Sequence, residues 1–375
     1  MAAPYDVCIR GAGIVGRTLA LLLARDRLRV ALVEVPPPPS AGHGDVRAYA
    51  LNAASRELLL RLRAWPDEAH ATPVTGMDVR GDDGGRVRFS AADEGAPALA
   101  WIVDVEPLLA RLAEAVRFQP QVDVVQAPAP GALTVVCEGR ASTTRAEFGV
   151  AYHVTSYPQR GLAARVSCEK PHGGVARQWF SGGNVLGLLP LDGPDGNSMA
   201  LVWSLQEPRA DELLAATPEE FETRLLAACG AELGRMSLAS ERMVWPLQRA
   251  QAERWCGPGW ALAGDAAHSV HPLAGQGLNL GLADAEVLAR VLHEREYWRG
   301  LGDEKLLRRY ERARKMDVLA MAWTTDGLQQ LFAQPAEPWA WMRNWGMRGF
   351  DRSGPVKRWV VRQAMGRARQ LLRTE

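Results

Sequence analysis

Two glycine-rich segments contain the residue types that could hold a phosphate-bearing ligand, and the first begins at Gly11. Gly11, Gly13 and Gly16 form a G-x-G-x-x-G pattern between a run of strand-forming residues and a helical run. The first glycine permits a tight turn, the second lets a pyrophosphate approach the backbone, and the third lets the helix pack closely on the strand. A second strand pattern ends at Glu34, in place to bind a ribose diol. The whole pattern predicts a dinucleotide site without deciding between NAD and FAD.

The second segment, residues 261–285, is the richest in candidate binding groups. It predicts a short strand ending at Asp265, an irregular loop with one proline and two glycines, and a helix from near Gly277. Asp265 at a strand end could bind a polyol chain. The amides of Gly277, Leu278 and Asn279 would lie at a helix N-terminus and could face an anionic or electron-rich ring edge.

Two histidines in this loop invite a metal or acid–base interpretation because they are three residues apart. His268 and His271 have no third ligand nearby in the sequence, and Pro272 stiffens the loop, so a metal site is not expected. No nucleophile elbow or Ser/His/Asp order is present, which leaves the chemistry to a cofactor. His268, His271 and Pro272 remain weak catalytic candidates.

The composition is that of an ordinary globular protein and excludes several classes. The chain has 375 residues, 47% of them hydrophobic and 23% charged, and its length favours two domains. A net charge of +1 gives no reason to expect nucleic acid as a partner. Five scattered cysteines without a C-x-x-C pair argue against disulfides and suit a reducing cytoplasm. No signal peptide and no run of about 18 apolar residues is found, so no membrane-spanning segment is expected.

The middle of the chain predicts one antiparallel sheet, inserted in pieces between parts of a cofactor domain. Alternation over residues 71–90 predicts a hairpin with its turn at residues 81–85. Further strands are predicted at residues 152–166, 175–191 and 197–204, and helices at residues 218–233, with Thr217 as N-cap, and 306–331.

Five large apolar residues on these strands are candidates for the wall of a substrate pocket: Trp179, Phe180, Leu186, Leu189 and Trp203. Trp179 and Phe180 are neighbours and point to opposite faces of a strand, so not all five can line one pocket. The alternative, that these residues form the core of the sheet, stays open for each of them.

The second segment also carries a family resemblance. Gly-Asp-Ala-Ala-His at residues 264–268, Pro272, Gly-Gln-Gly-Leu-Asn at residues 275–279 and Asp284 resemble the second FAD motif of the para-hydroxybenzoate-hydroxylase-like flavoprotein monooxygenases. The sequence is most similar to the ubiquinone-biosynthesis hydroxylases of that group. Further segments that match them are residues 157–159, 171–172, 176–180, 188–191, 201–203, 245–247, 342–346 and 364–366. The resemblance therefore covers nearly the whole chain.

The resemblance implies a set of FAD contacts. The residues that it assigns to FAD are Gly11, Gly13, Ile14, Val15, Gly16, Glu34, Arg47, Asp265, Pro272, Gly275, Gln276, Gly277, Leu278 and Asn279. Within this set the glycine turn holds the pyrophosphate, Glu34 the adenosine ribose and Asp265 the ribityl chain. Arg47 lies near the phosphates or the flavin, although the residues around it alone favour a solvated arginine at a helix start.

The resemblance also implies the fold class and domains. The fold is α/β (α+β), a Rossmann-like FAD-binding domain with an inserted antiparallel-sheet substrate domain and a C-terminal helical region. The FAD-binding domain comprises residues 1–70, 95–155 and 246–330, the substrate domain residues 71–94 and 156–245, and the helical region residues 331–375.

Three departures from the family pattern raise the question of how well FAD is held. Glu138 stands where the family has an aspartate, in a segment that continues to the Ser-x-x-Arg sequence of residues 142–145. Glu106 stands where the family often has an arginine. The stretch between residues 116 and 135 is short where the family has a longer β-meander, and its three prolines suit a connector better than central strands.

The implied activity is hydroxylation of an aromatic ring with FAD, NAD(P)H and O2. The substrate is a polyprenylated phenol of ubiquinone biosynthesis, or alternatively a small soluble aromatic, and a catalytically silent flavoprotein scaffold of an enzyme assembly is a further alternative. We expect a cytoplasmic protein with an optional peripheral position on the inner membrane. Residues 341–375 form a basic amphipathic pattern that could contact a membrane or an enzyme assembly, or pack on the protein body.

Overall fold

The computed structural model describes residues 4–35, 46–81, 84–193, 195–269 and 277–333. The strands are β1 (Tyr5–Arg10), β2 (Val30–Val33), β3 (Ala48–Leu51), β4 (Ala71–Val74), β5 (Gly76–Arg80), β6 (Arg86–Ser90), β7 (Ala100–Asp104), β8 (Val122–Val125), β9 (Gly131–Val136), β10 (Tyr152–Cys168), β11 (Val175–Ser181), β12 (Asn184–Pro190), β13 (Ser198–Gln206), β14 (Met236–Leu238), β15 (Met243–Ala252), β16 (Cys256–Gly257), β17 (Trp260–Leu262) and β18 (His268–Ser269). The helices are α1 (Ile14–Arg25), α2 (Ala53–Arg61), α3 (Val105–Arg117), α4 (Thr144–Glu147), α5 (Glu207–Ala215), α6 (Pro218–Cys229), α7 (Gly277–His293) and α8 (Glu304–Ala333).

The first sheet is parallel except at one edge. Its strand order is β16-β17-β9-β1-β2-β8, and only β16 runs antiparallel to its neighbour. Side chains of β1 alternate between two cores, because successive residues of a strand point to opposite faces. Val7 and Ile9 pack with the residues of α1, α3 and α7, whereas Cys8 belongs to a small cluster on the other face. Burial on both faces explains why β1 and β2 read as continuous apolar runs.

Residues 117–135 correct the expectation of a simple connector. β9, which begins at Gly131, lies in the middle of the first sheet between β1 and β17, and β8 forms the edge beside β2. Pro120, Pro128 and Pro130 all lie outside these strands, because proline has no N–H to donate within a sheet. The prediction of a connector was therefore wrong, because this stretch contains the strands β8 and β9. The three prolines lie outside the ends of these strands.

The connection from β8 to β9 crosses the sheet. Both strands are parallel to β1 and β2, which lie between them, so residues 126–130 must pass from one edge over two strands. Ala129 packs against Cys8 and Val33 on the face opposite α1. This short crossing segment covers part of the face where the family usually has a longer meander.

The second sheet has the order β18-β15-β10-β13-β12-β11-β5-β6, with β14 beside β10. The predicted hairpin within residues 71–90 is confirmed as β5 and β6. The predicted all-antiparallel pairing needs one correction, because β5 and β11 run parallel. The predicted helix after Thr217 is α6, and Thr217 and Glu220 form a reciprocal capping box. β4 does not join this sheet but pairs with β7 in a third sheet of order β3-β7-β4.

The second sheet has two different faces. On one face, Leu162 and Leu201 pack against Phe221 and the other apolar residues of α5 and α6, and we call this the outer face. On the opposite face, Leu189 and Ala200 pack with residues of the third sheet, and we call this the inner face. The inner face is therefore the one directed toward β3, β4 and β7.

Candidate functional site

The glycine turn after β1 has two glycines fixed by packing and one that faces open space. A Cβ on Gly11, whose φ is +111°, would lie 2.5 Å from the carbonyl oxygen of Cys137, and a Cβ on Gly16 would lie 1.9 Å from that of Gly11. A Cβ on Gly13 would meet no atom within 4 Å. Gly11 and Gly16 are therefore needed for the turn itself, and Gly13 is needed only if a ligand occupies the space beside it.

The N-terminus of α1 fits a phosphate group. Gly13 is the N-cap residue and no side chain caps the helix, and the first turn contains no acidic residue. The backbone amides of this turn are consequently available to an anion, which the helix dipole also favours. The Val15 side chain lies against two further glycines. A Cβ on Gly281 would lie 2.7 Å from Val15 Cγ2, and a Cβ on Gly264 would lie 3.2 Å from the same atom. These glycines let the second FAD segment and α7 pack directly against the first turn of α1.

Glu34 lies directly after β2 and is paired with an arginine that sequence reasoning missed. The Arg17 guanidinium contacts the Glu34 carboxylate, and Arg17 Nε donates to the carbonyl oxygen of Ala12 at 2.6 Å. The Glu34 side chain is 44% exposed, so the ribose-binding position predicted for it remains accessible. A sequence signal for Arg17 exists, because a cation in the first turn of a helix is electrostatically unfavourable without a partner.

Arg10, which directly precedes the glycine turn, pairs with Glu138. Arg10 Nε lies 3.3 Å from Glu138 Oε1. The same carboxylate accepts hydrogen bonds from the hydroxyls of Ser142, at 2.7 Å, and Thr144, at 2.6 Å. Glu138 thus organises the turn after β9, and its charge is compensated locally. Glu106, the second departure, lies exposed in the first turn of α3, where a negative charge suits the helix dipole.

A second network fixes the turn at Asp265. Arg145 donates to the carbonyl oxygen of Ala266 at 3.1 Å and stacks on the ring of Tyr152, and the Tyr152 hydroxyl donates to the carbonyl oxygen of Asp265 at 2.8 Å. The Asp265 carboxyl is open to solvent on one side while protein surrounds the others, and this desolvation raises its pKa. The positive charges of Arg140 and Arg47 act in the opposite direction. An exposed carboxylate in the turn after β17 can accept hydrogen bonds from hydroxyl groups of a ligand.

Asn279 joins the start of α7 to the segment that follows Arg47. Its Nδ2 donates to the carbonyl oxygen of Ala50 at 2.8 Å, and its Oδ1 accepts from the Asn52 amide at 2.9 Å and the Ser55 hydroxyl at 2.7 Å. The side chain therefore fixes β3 and α2 through two bonds accepted by its oxygen and one donated by its amide group, and its backbone amide lies at the start of α7. β3 in turn packs on the inner face of the second sheet through Ala50. This chain of contacts places the inner face and the start of α7 on two sides of β3.

His268 is part of a buried ionic network rather than an exposed loop. Its Nε2 lies 2.7 Å from Asp284 Oδ2, and its ring stacks on Trp255. Asp284 also accepts from Arg314 Nε at 2.6 Å and from the Gly264 amide at 2.9 Å. The ring is buried in the short strand β18, so it has no access to a reacting substrate. The weak catalytic assignment to His268 is corrected to a structural role for this reason.

Part of the predicted site lies outside the residues that the structure describes. These residues are His271, Pro272, Gly275 and Gln276. Gly277 and Leu278 are the first two residues of α7, as the sequence predicted for the helix start. Among the described residues no group of three metal-ligating side chains occurs, and all five cysteines are buried free thiols.

The five apolar pocket candidates separate onto the two faces of the second sheet. Trp179, Leu186 and Trp203 lie opposite one another across β11, β12 and β13 and pack on the outer face under α5 and α6. Their predicted place in a pocket wall is corrected to a place in this core. Leu189 lies on the inner face, and Phe180, the neighbour of Trp179 in β11, points to that face too.

The inner face carries an apolar row between two aromatic side chains. The strand register puts Phe180, Val185, Ser204, Gly161 and Trp245 in line across five strands. A Cβ on Gly161, the neighbour of Trp245 in this row, would lie 3.1 Å from the indole, so the indole rests on the glycine. Such a row offers a flat, mostly apolar wall to an aromatic ring.

These features fit FAD as the group that the site holds. The open space at Gly13 beside uncapped helix amides suits a pyrophosphate, Glu34 at the end of β2 suits a ribose, and the Asp265 carboxyl suits a polyol chain. All of them lie at the carboxyl ends of the parallel strands, where open α/β sheets bind their ligands.

Comparison with known proteins agrees with this fit. The family model for an FAD binding domain matches residues 131–324, more than half of the chain. The chain is 32% identical to a ubiquinone hydroxylase of Rhodospirillum rubrum, over 96% of this chain and 89% of that one. It is 30% identical to the 3-demethoxyubiquinol 3-hydroxylase of Escherichia coli, over 97% of this chain and 99% of that one.

Solved structures share the fold at lower identity. PqsL of Pseudomonas aeruginosa, described as a probable FAD-dependent monooxygenase, superposes with a TM-score of 0.73 at 22% identity, covering 88% of this chain and 97% of that one. p-Nitrophenol 4-monooxygenase of Pseudomonas putida gives 0.76 at 17% identity, covering 97% and 99%. The predicted Rossmann-like α/β fold class and the predicted FAD requirement are thereby confirmed. The chain belongs to the family of FAD-dependent monooxygenases that includes the ubiquinone hydroxylases.

Proposed function

We propose that the chain hydroxylates the ring of a polyprenylated phenol in ubiquinone biosynthesis, with FAD, NAD(P)H and O2. The observation that carries the proposal is the placement of an apolar sheet face and an FAD cradle on two sides of one strand, β3, joined by Asn279. The named activities of the two relatives, a ubiquinone hydroxylase and a demethoxyubiquinol hydroxylase, support this substrate class.

Binding and orientation are the tasks of the protein in this reaction. The amides of Gly13, Ile14 and Val15 would hold the pyrophosphate, and Glu34 and Asp265 the two sugar-derived chains. Arg47, Pro272 and the segment from Gly275 through Gln276, Gly277 and Leu278 to Asn279 would surround the flavin ring. Bound FAD supplies the activation of O2 with electrons from NAD(P)H. The inner face would hold the phenol ring and keep water away from the reacting atoms.

The charge on the inner face favours a neutral phenol over a small aromatic acid. A substrate carboxylate would need a free guanidinium, and a bidentate pair is the usual solution. Among the described residues of strands β10 to β13, the inner-face cation is Arg165, and its Nη2 lies 2.6 Å from Asp104 Oδ1. Within these four strands the cation is already paired, so they suit an uncharged ring with an apolar tail better than a carboxylate.

We also propose the domain division 1–70, 95–155 and 246–330 for FAD binding and 71–94 and 156–245 for the substrate. The first and second sheets, with separate cores, support two units. The pairing of β4 with β7 favours assigning residues 71–74 to the third sheet.

The activity test uses purified protein reconstituted with FAD. We expect the absorption of oxidised flavin, its bleaching by NADH or NADPH without air, and one 18O atom from 18O2 in the hydroxyl of a short-chain prenylphenol product. 4-Hydroxybenzoate serves as the matched small aromatic acid and should be a poor substrate. Hydroxylation of that acid in preference to the prenylphenol would contradict the proposed substrate class.

Phe180 and Trp179 provide a matched pair for the substrate wall. Phe180→Ala should raise the KM for a prenylphenol by about 5- to 50-fold with little change in stability, because it removes an inner-face contact. Trp179→Ala should leave KM nearly unchanged and lower the free energy of unfolding by about 2 kcal/mol, because it opens the outer-face core. Steady-state kinetics and urea unfolding of both variants check this, and equal effects on KM would contradict the assignment of faces.

We further propose a peripheral position on the inner membrane, from the cytoplasmic side. Residues 341–375, the basic pattern expected to contact lipid or partners, lie outside the described residues. Among the residues that the structure describes, no helix combines the length and hydropathy that crossing a bilayer requires. Tyr297 and Trp298, in the connection between α7 and α8, are 94% and 67% exposed, and such side chains suit a membrane interface.

Co-sedimentation with vesicles containing phosphatidylglycerol tests this position. Replacing Tyr297 and Trp298 together by serine should lower the bound fraction several-fold. Phe118→Ser is the control, because Phe118 is also highly exposed but lies at the end of α3. Wild-type protein that stays in the supernatant would contradict the proposal.

A further inference from the structure

Arg17 breaks a local rule of helix stability. It lies at the end of the first turn of α1, close to the positive end of the helix dipole, where a cation is unfavourable. It is also 8% exposed, so the charge is largely desolvated. A buried cation at this place requires partners that compensate both penalties, and departures of this kind concentrate at functional sites.

The first partner of Arg17 is the peptide group between Ala12 and Gly13. Arg17 Nε donates to the Ala12 carbonyl oxygen at 2.6 Å. The C=O and N–H of a trans peptide group point in opposite directions, so this bond also fixes the direction of the Gly13 N–H. Arg17 therefore holds the Gly13 amide pointing away from its own guanidinium.

The second partner is the carboxylate of Glu34. The contact uses Arg17 Nη2 and Glu34 Oε1. A carboxylate has a second oxygen with its own lone pairs, and no donor from the described part of the chain contacts Oε2, which leaves it for the diol of a ribose. The positive charge of Arg17 also offsets the repulsion between Glu34 and the pyrophosphate of a dinucleotide.

We propose that Arg17 is a positioning residue for the ADP half of FAD. One guanidinium sets the Gly13 amide for the pyrophosphate and the Glu34 carboxylate for the ribose. The inference rests on FAD binding at the glycine turn and Glu34 and is independent of the phenol substrate. It assigns to Arg17 a part in cofactor affinity and none in the oxidation chemistry.

The main test compares Arg17→Met with Arg25→Met, which makes the same substitution at the exposed C-terminal end of the same helix. FAD affinity is measured by quenching of flavin fluorescence, and ADP affinity by competition with FAD. Arg17→Met should raise both dissociation constants by about the same factor, 10- to 100-fold. Arg25→Met should leave both within about twofold of wild type.

Two outcomes would overturn the inference. Wild-type FAD affinity in Arg17→Met would show that the guanidinium positions nothing of importance. A loss of FAD affinity without a loss of ADP affinity would place its effect outside the ADP half. Failure of the wild type itself to bind FAD would instead contradict the functional proposal, so the two failures are distinguishable.

A double-substitution cycle tests the connection to Glu34. If Arg17 acts partly through this carboxylate, Arg17→Met should weaken FAD binding less in a Glu34→Gln background than in the wild type. Thermal melting of the FAD-free variants separates positioning from simple loss of folding. Strictly additive effects on FAD affinity would overturn the part of the inference that concerns Glu34.

Discussion

Replacing Gly13 by aspartate is expected to abolish tight FAD binding while leaving the FAD-free protein at least as stable as the wild type. Gly13 is the N-cap of α1 with extended backbone angles, and a Cβ at this position meets no atom within 4 Å. Aspartate is a favoured N-cap and should add a few tenths of a kcal/mol to the stability. It would also place a negative charge where the pyrophosphate binds, so the dissociation constant of FAD should rise at least about 100-fold.

Two further variants complete this test. Gly13→Asn has nearly the same volume without the charge, so the difference between the two variants measures the electrostatic part. Gly16→Ala should instead destabilise the FAD-free protein, because its Cβ would lie 1.9 Å from the Gly11 carbonyl oxygen and the backbone must move. It should lower the melting temperature even without FAD. Retention of wild-type FAD affinity in Gly13→Asp would refute the assignment of this space to the pyrophosphate.

The buried network around Asp284 should produce the largest effect on stability. Asp284 and Arg314 are fully buried, and their carboxylate and guanidinium lie 2.6 Å apart. Arg314→Met removes one partner and leaves a buried charge, so the free energy of unfolding should fall by about 3–5 kcal/mol. Arg308→Met is the control, because Arg308 pairs with Glu304 on the exposed face of the same helix and its loss should have little effect. Urea unfolding of both variants without FAD provides the measurement, and similar losses would contradict the prediction.

The same network predicts a loss of stability in acid. Burial alone would raise the pKa of the Asp284 carboxyl, but His268 and Arg314 outweigh burial and hold that pKa below its ordinary value. A carboxyl with a lowered pKa contributes stability above its unfolded-state pKa and loses that contribution as the pH falls through the folded-state value. Below about pH 4, wild-type stability should therefore decline more steeply than that of Asp284→Asn.

The sequence predicted best what depends on local spacing. Gly11, Gly13 and Gly16 are defined by their distances along the chain and by the strand and helix on either side, so their turn was predictable. The side chain of Asn279 accepts a hydrogen bond from the Asn52 amide, 227 positions away, and no local pattern contains that contact. Arg17 carried a detectable signal, its charge at a helix start, but its partners could be identified only from the folded chain.

The substrate sheet shows a different limit of prediction. Alternation established that Trp179 and Phe180 point to opposite faces, but it could not tell which face α5 and α6 would cover. That choice depends on how helices distant in the sequence pack, so the sequence left open which of the five pocket candidates lie in the core under α5 and α6. The prolines around β9 gave a wrong prediction of a connector for a related reason. A proline in the sequence can mark the end of a strand or the absence of one, and the sequence alone does not distinguish the two.

The cofactor site is completed by residues that are far apart in the sequence, and this has a consequence for synthesis on the ribosome. β1, α1 and β2 emerge first, yet the carboxylate and guanidinium that fix the turn at Gly264 come from Asp284 and Arg314. At ordinary elongation rates the nascent N-terminal unit waits on the order of tens of seconds for these residues. During that interval its sheet lacks the strand β17, and the apolar face that packs on α7 is uncovered. We therefore expect this chain to need protection by chaperones until its last third has been translated, and FAD to bind only afterwards.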